Sequence, residues 1–158
     1  MARLTPQFSA SRAVRDYTEQ HYVPAATSYY SRTDNKCAVG MQMTDWRMRL
    51  DEKWSTLHFL SVEVKTIGEE HQFETQIFLD DLDPGAVRVE LYAGGISGGL
   101  PIRQEMKLTP VSSRDQGVRT YKATASSSRP AGDYTARLLP RLDGVSLPLE
   151  DARILWQR

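Results

Sequence analysis

At Leu57 the spacing of apolar residues changes from three-and-four to two, and this change constrains the fold more than any other feature of the chain. Upstream, Met43, Trp46, Leu50 and Trp54 recur at helical spacing and predict a helix over about Val39–Leu57. Downstream, Leu60, Val62 and Val64 alternate with Glu63 and Lys65, and Phe73, Thr75, Ile77 and Leu79 alternate with Glu74 and Gln76. Val87, Val89 and Leu91 run against Arg88 and Glu90, while Leu100, Ile102, Met106 and Leu108 run against Arg103, Glu105 and Lys107. Tyr121, Ala123 and Ala125, then Tyr134, Ala136 and Leu138, then Ile154 and Trp156 complete about seven strands, each read with one apolar and one wet face. Turn signals separate them at Ile67-Gly68-Glu69, Asp83-Pro84-Gly85, Gly94-Gly95, Asp115-Gln116-Gly117, Arg129-Pro130-Ala131-Gly132 and Asp143-Gly144. No helical crossovers interleave with the strands, so the pattern predicts a mainly β antiparallel sandwich and excludes a doubly wound parallel sheet.

The stretch Ala131-Gly132-Asp133-Tyr134 is a tight corner feeding an inward tyrosine. It resembles the tyrosine corner of immunoglobulin-like sandwiches, in which the phenol closes the corner on nearby backbone. The Cys and Trp pair of antibody domains is absent. Before the strands, Ser9 or Ser11 can cap a first helix running to about Tyr22, with Val14, Tyr17, Thr18, His21 and Tyr22 on one stripe. Pro24 is expected to stop it, and Ser28 to Lys36 reads as a connection. Two N-terminal helices thus precede the sandwich, with a helical arm over 1–56 and the β-sandwich domain over 57–158. A helix as short as the first is marginal alone in water, so its tyrosine-lined stripe needs a surface to pack on.

Twenty basic and twenty acidic side chains cancel, which leaves no overall field to attract nucleic acid or an anionic membrane. The single cysteine, Cys37, forms no internal disulfide, and no apolar run approaches the roughly 20 residues of a spanning helix, so the expected compartment is the cytoplasm. Chemistry-bearing motifs are sparse. Asp80-Asp81-Leu82-Asp83 lacks the ligand spacing of an EF-hand loop and reads as an acidic turn. Gly94-Gly95-Ile96-Ser97-Gly98-Gly99 lacks the Gly-Lys-Ser/Thr ending of a P-loop and reads as a hairpin. His21, His58 and His71 have no metal-ligand spacing, and no Gly-x-Ser-x-Gly elbow occurs. No catalytic, cofactor or metal residue is assigned. The aromatic side chains Trp46, Trp54 and Tyr92 are the candidates for stacking on sugar rings, against a plainer role for the tryptophans as helix packing.

The opening Met1-Ala2-Arg3-Leu4-Thr5-Pro6-Gln7-Phe8-Ser9, followed by Arg12-Ala13-Val14-Arg15-Asp16-Tyr17 and His21-Tyr22-Val23-Pro24-Ala25-Ala26, resembles the end of the catalytic region in bacterial α-glucan phosphorylases of the glycogen phosphorylase class. Ala13 stands where that family more often has Met. Leu50-Asp51-Glu52-Lys53-Trp54, Leu79-Asp80-Asp81-Leu82-Asp83-Pro84, Val87-Arg88-Val89-Glu90-Leu91-Tyr92 and Ala152-Arg153-Ile154-Leu155-Trp156-Gln157-Arg158 resemble the tail appended to some members.

The resemblance implies a carboxyl-terminal piece of a larger glycosyltransferase that moves glucosyl units between α-1,4-glucan and orthophosphate. Pyridoxal phosphate belongs to that parent, on a lysine upstream of these segments, and no cofactor is expected in this chain. The catalytic body is the implied partner, met through Tyr17 and Tyr22. Three roles follow: a structural cap without activity of its own, an α-glucan-binding module, or a free-standing domain that pairs through a sheet edge.

Overall fold

The computed structural model describes residues 9–96, 98–110 and 117–158. Met1–Phe8 of the opening stretch, Ser97 of the glycine loop, and Asp115 and Gln116 of one expected turn lie outside the described residues. The chain divides into two compact units, Met1–Asp45 and Trp46–Arg158.

The first unit is helical. Helix α1 covers Ala10–Tyr17, a π turn Thr18–Tyr22, and helix α2 Val23–Lys53, so one long helical run stands where two helices were expected. Ser9 caps its start by accepting from the Arg12 amide at 3.3 Å. Pro24 lies inside the run because the turn before it is widened: the Val23 amide reaches Thr18 O, five residues back. A π turn makes room where a proline ring would otherwise meet the carbonyl four residues earlier. The stretch read as a connection is helical only as far as Thr33, with Thr27 and Thr33 hydroxyls donating to Val23 O and Tyr29 O one turn back. Within α2 the backbone leaves helical angles at Asp34 and turns left-handed at Asn35, Lys36 and Cys37. The helix ends at Lys53, leaving Trp54 in a turn and not in the helix expected to run to Leu57.

Among the described residues the second unit holds eight strands in two four-stranded antiparallel sheets. One sheet contains β1 (His58–Ile67), β2 (Glu70–Phe78), β6 (Val118–Ser126) and β5 (Lys107–Leu108), in the order β1-β2-β6-β5. The other contains β4 (Ile102–Glu105), β3 (Val87–Ala93), β7 (Thr135–Pro140) and β8 (Leu155–Trp156), in the order β4-β3-β7-β8. The count exceeds the expected seven because the run read as one strand over Leu100–Leu108 breaks at Met106. Its first half joins one sheet and its second half the other. Met106 itself is buried, and its amide donates to Val89 O at 2.8 Å.

Both sheets contribute to one core. Phe73, Ile77, Tyr121 and Ala125 come from one, and Val87, Val89, Leu91, Ala136 and Leu138 from the other, with Leu50 of α2 buried among them. The expected alternation holds for β2, β6 and the start of β7. It fails at the sheet edges for local reasons. A register shift between Phe59 and Ser61 makes Leu60 a bulge residue that stays half exposed, while Ser61 O accepts from the buried Thr75 hydroxyl at 2.9 Å. Ile102 and Leu108 sit on short edge strands and remain exposed, and Leu100 precedes them in the open. On β8 the register is one residue off the expectation: Leu155 pairs with Leu138 and packs on the core, so Trp156 points to the opposite face. In the β3–β4 hairpin, Gly95 is required because a Cβ there would lie 1.8 Å from Gly99 O.

The corner before β7 is closed as the sequence implies. Tyr134 is buried and stands edge-on to Phe73, ring centroids 5.6 Å apart, and its hydroxyl donates to Ser126 O at 3.1 Å. His71 packs beside it, with Nδ1 at 2.8 Å from the Thr66 hydroxyl and Nε2 at 2.8 Å from Arg129 O.

Candidate functional site

The outer face of the β4-β3-β7-β8 sheet gathers the most unusual side chains of the molecule. Because strands alternate, Arg88, Glu90 and Tyr92 of β3 share one face, as do Thr135, Arg137 and Leu139 of β7. Register then sets Glu105, Glu90, Arg137 and Trp156 side by side in one row across the four strands. The expectation that Glu90 lies on a wet face is corrected here: it is 5% exposed, and Arg137 is 8% exposed. Arg137 Nε donates to Glu90 Oε1 at 2.7 Å, and its Nη2 bonds to the same oxygen. A carboxylate and a guanidinium paired in this way can be buried together, whereas either alone would carry a large desolvation cost.

Two aromatic rings cover the pair. The Arg137 guanidinium lies 4.3 Å from the Tyr92 ring centroid and 5.1 Å from that of Trp156. The rings meet edge to face, with centroids 5.5 Å apart and planes at 79°. Tyr92 is half-buried and Trp156 is 38% exposed, so the row ends in a partly bare indole packed against the guanidinium and the phenol ring. At the row's other end Arg141 Nη1 donates to Glu105 Oε1 at 3.0 Å.

Tyr92 therefore belongs to this cluster, whereas Trp46 and Trp54 stand elsewhere. Both tryptophans are partly buried and pack on the core. Trp46 Nε1 donates to Ala86 O at 3.3 Å, and the Arg153 guanidinium lies 6.0 Å from the Trp54 ring centroid. Sequence reasoning missed Arg137 and Trp156 as members of the cluster. Its signal was an arginine inside the apolar run Ala136–Leu139, which called for an acidic partner on the neighbouring strand.

The acidic turn holds a lysine. Lys53 Nζ lies 3.2 Å from Asp80 Oδ2 and 2.8 Å from Asp81 Oδ1, while Asp83 Oδ1 caps the turn at Pro84–Ala86 by accepting from the Gly85 amide at 2.9 Å. The hydrogen bond from Lys53 lowers the Asp81 pKa below the ordinary carboxylate range, and the same bond raises that of Lys53. Among the described residues no three His, Cys, Asp or Glu side chains gather as metal ligands, and no helix is long and apolar enough to cross a membrane. Chemically, the outer-face row presents two aromatic rings set nearly at right angles over charges that are already paired with each other. Its exposed ring surface is suited to stacking.

Residues 54–157 match the model of a family described as the glycogen phosphorylase C-terminal domain. The glycogen phosphorylases of Mycobacterium tuberculosis strains CDC 1551 / Oshkosh and ATCC 25618 / H37Rv are each 29% identical to the chain over 150 residues. That of Mycobacterium bovis strain ATCC BAA-935 / AF2122/97 shows the same identity over the same length. In each case the match covers 87% of this chain and 17% of the relative, so the chain spans about a sixth of the length of the curated relatives it matches.

Proposed function

The chain belongs to the glycogen phosphorylase C-terminal domain family, and from that premise we propose that it is the accessory end of an α-glucan phosphorylase, without catalytic activity of its own. The arm over 1–56 meets the catalytic body of the parent, and the immunoglobulin-like sandwich over 57–158 caps it. The observation that carries this reading is the helical run: Val14, Tyr17, Tyr22, Val23, Tyr29 and Tyr30 are each more than half exposed. Apolar surface on this scale marks a contact surface. The parent, a cytoplasmic enzyme, moves glucosyl units between α-glucan and orthophosphate.

Pyridoxal phosphate belongs to the parent's body. The lysines here do not fit that cofactor: Lys53 and Lys122 are ion-paired with Asp80, Asp81 and Glu74, and Lys36, Lys65 and Lys107 are exposed.

The test is the parent phosphorylase carrying Tyr17→Ser and Tyr22→Ser together. A lowered unfolding temperature with turnover per folded molecule unchanged is expected. An unchanged unfolding temperature would overturn the assignment of this face to the catalytic body.

A second reading, an α-glucan-holding module, is favoured by the partly bare Trp156 and Tyr92 over the Glu90–Arg137 pair. Titration of the chain with glycogen and maltooligosaccharides tests it, with Kd values from micromolar to millimolar expected for a carbohydrate module. Loss of binding in Tyr92→Ala, with retention in Trp46→Ala and Trp54→Ala, would place the sugar on the outer-face row.

A further inference from the structure

The longest strand of the molecule, β1, has a neighbour on one side only: among the described residues it ends its sheet in the order β1-β2-β6-β5. An open edge of this length presents a row of backbone donors and acceptors to any strand that can lie beside it. Its core-side residues are incompletely covered, with Val64 still 40% exposed although it faces Phe73 across the β1–β2 ladder. On its outer face Glu63 stands directly opposite Glu74, a like-charge pair, and Glu74 in turn is taken up by Lys122 at 2.8 Å. Among the described residues neither Glu63 nor Lys65 has an ion-pair partner.

We propose that β1 pairs antiparallel with β1 of a second copy of this chain, centred on Val64, to form one continuous eight-stranded sheet across a two-fold axis. The charges select the register. Centred on Val64, Glu63 meets Lys65 of the other copy, and the symmetry repeats the pair. Centred on Glu63 or Lys65, identical charges would face each other, and a shift by one residue would set core-side residues against outer-face residues. The Val64 register also pairs Val62 with Thr66 and Val64 with itself on the core side, covering the edge of the hydrophobic cluster. Each Glu63, flanked by Glu74 on the β2 side, gains a lysine on its open side. This inference is independent of the reading of the chain as a phosphorylase cap.

Sedimentation velocity of the full 158-residue chain over a range of concentrations tests it. A concentration-dependent dimer is expected. Lys65→Glu, which sets Glu63 against a glutamate, weakens association at least about tenfold. The double variant Glu63→Lys/Lys65→Glu restores it, because opposite charges again face each other, and this rescue separates pairing from any loss of fold. A wild-type chain that stays monomeric overturns the proposal. So does a dimer indifferent to Lys65→Glu, or one abolished by Tyr17→Ser/Tyr22→Ser, which would assign association to the helical face.

Discussion

The Tyr134 hydroxyl donates to the carbonyl oxygen of Ser126, 3.1 Å away and eight residues earlier, so the end of β6 and the start of β7 are joined by a side chain as well as by the loop. Tyr134→Phe leaves the ring against Phe73 and His71 but orphans that carbonyl. A loss of about 1 kcal/mol or slightly more is expected in chemical denaturation. An unchanged midpoint would show that the bond adds nothing to the packing.

Tyr121 is the opposite case. It is buried in the core, and among the described residues its hydroxyl has no partner. Burial pushes its pKa up to about 12. The fold therefore favours the neutral phenol, and stability holds below the ordinary tyrosine value near 10 and declines as pH rises from there towards 12. Tyr121→Phe is expected to be neutral or stabilising by about 1 kcal/mol at pH 7 and to flatten the decline in the alkaline range.

The buried Glu90–Arg137 pair should behave as a unit. Glu90→Gln leaves a guanidinium buried without its counter-charge, and a loss of about 3–5 kcal/mol is expected. Replacing both partners, as Glu90→Leu/Arg137→Met, should recover most of that loss. A double-mutant cycle by urea denaturation reads the coupling, and additive effects would show that the two charges are solvated separately.

The Lys53 latch on Asp80 and Asp81 has a defined pH window. Asp81 has a lowered pKa, so its contribution is present above the ordinary carboxylate range near 4 and is lost as pH falls through the depressed value. Lys53 has a raised pKa, so its contribution is complete below its ordinary value of 10.5 and is lost as pH rises through the raised one. The difference in unfolding temperature between wild type and Asp81→Asn should therefore be greatest between these limits. It should vanish in strong acid and shrink with added salt. A difference independent of pH would point to packing in place of charge.

The strands that read clearly in the sequence are those with one face on the core and one in water. Phe73, Thr75 and Ile77 are an example, since water on one side imposes the alternation. Glu90 and Trp156 were misplaced because the outer face of the second sheet is itself covered, and polarity then stops reporting exposure. The tyrosine corner was legible because it depends on a local turn and one ring. The continuity of the helix through Pro24 was not, because a π turn leaves no mark in residue type. The break at Met106 was hidden by an alternation from Ile102 to Leu108, interrupted only by Gln104, that does not say which sheet each half will join. Tyr92 could be singled out as an aromatic on a strand, but its company could not. The row through Arg137 and Trp156 depends on register between strands far apart in the chain.

The passage of the chain from β4 to β5 through the buried Met106 ties the two sheets together by covalent bonds at their edges. The two sheets also bury their inner faces in one core, so neither can open without exposing the other. Amides of β3 and of β6, one in each sheet, should therefore exchange their hydrogens through a common opening with one free energy, and denaturant should lower both alike.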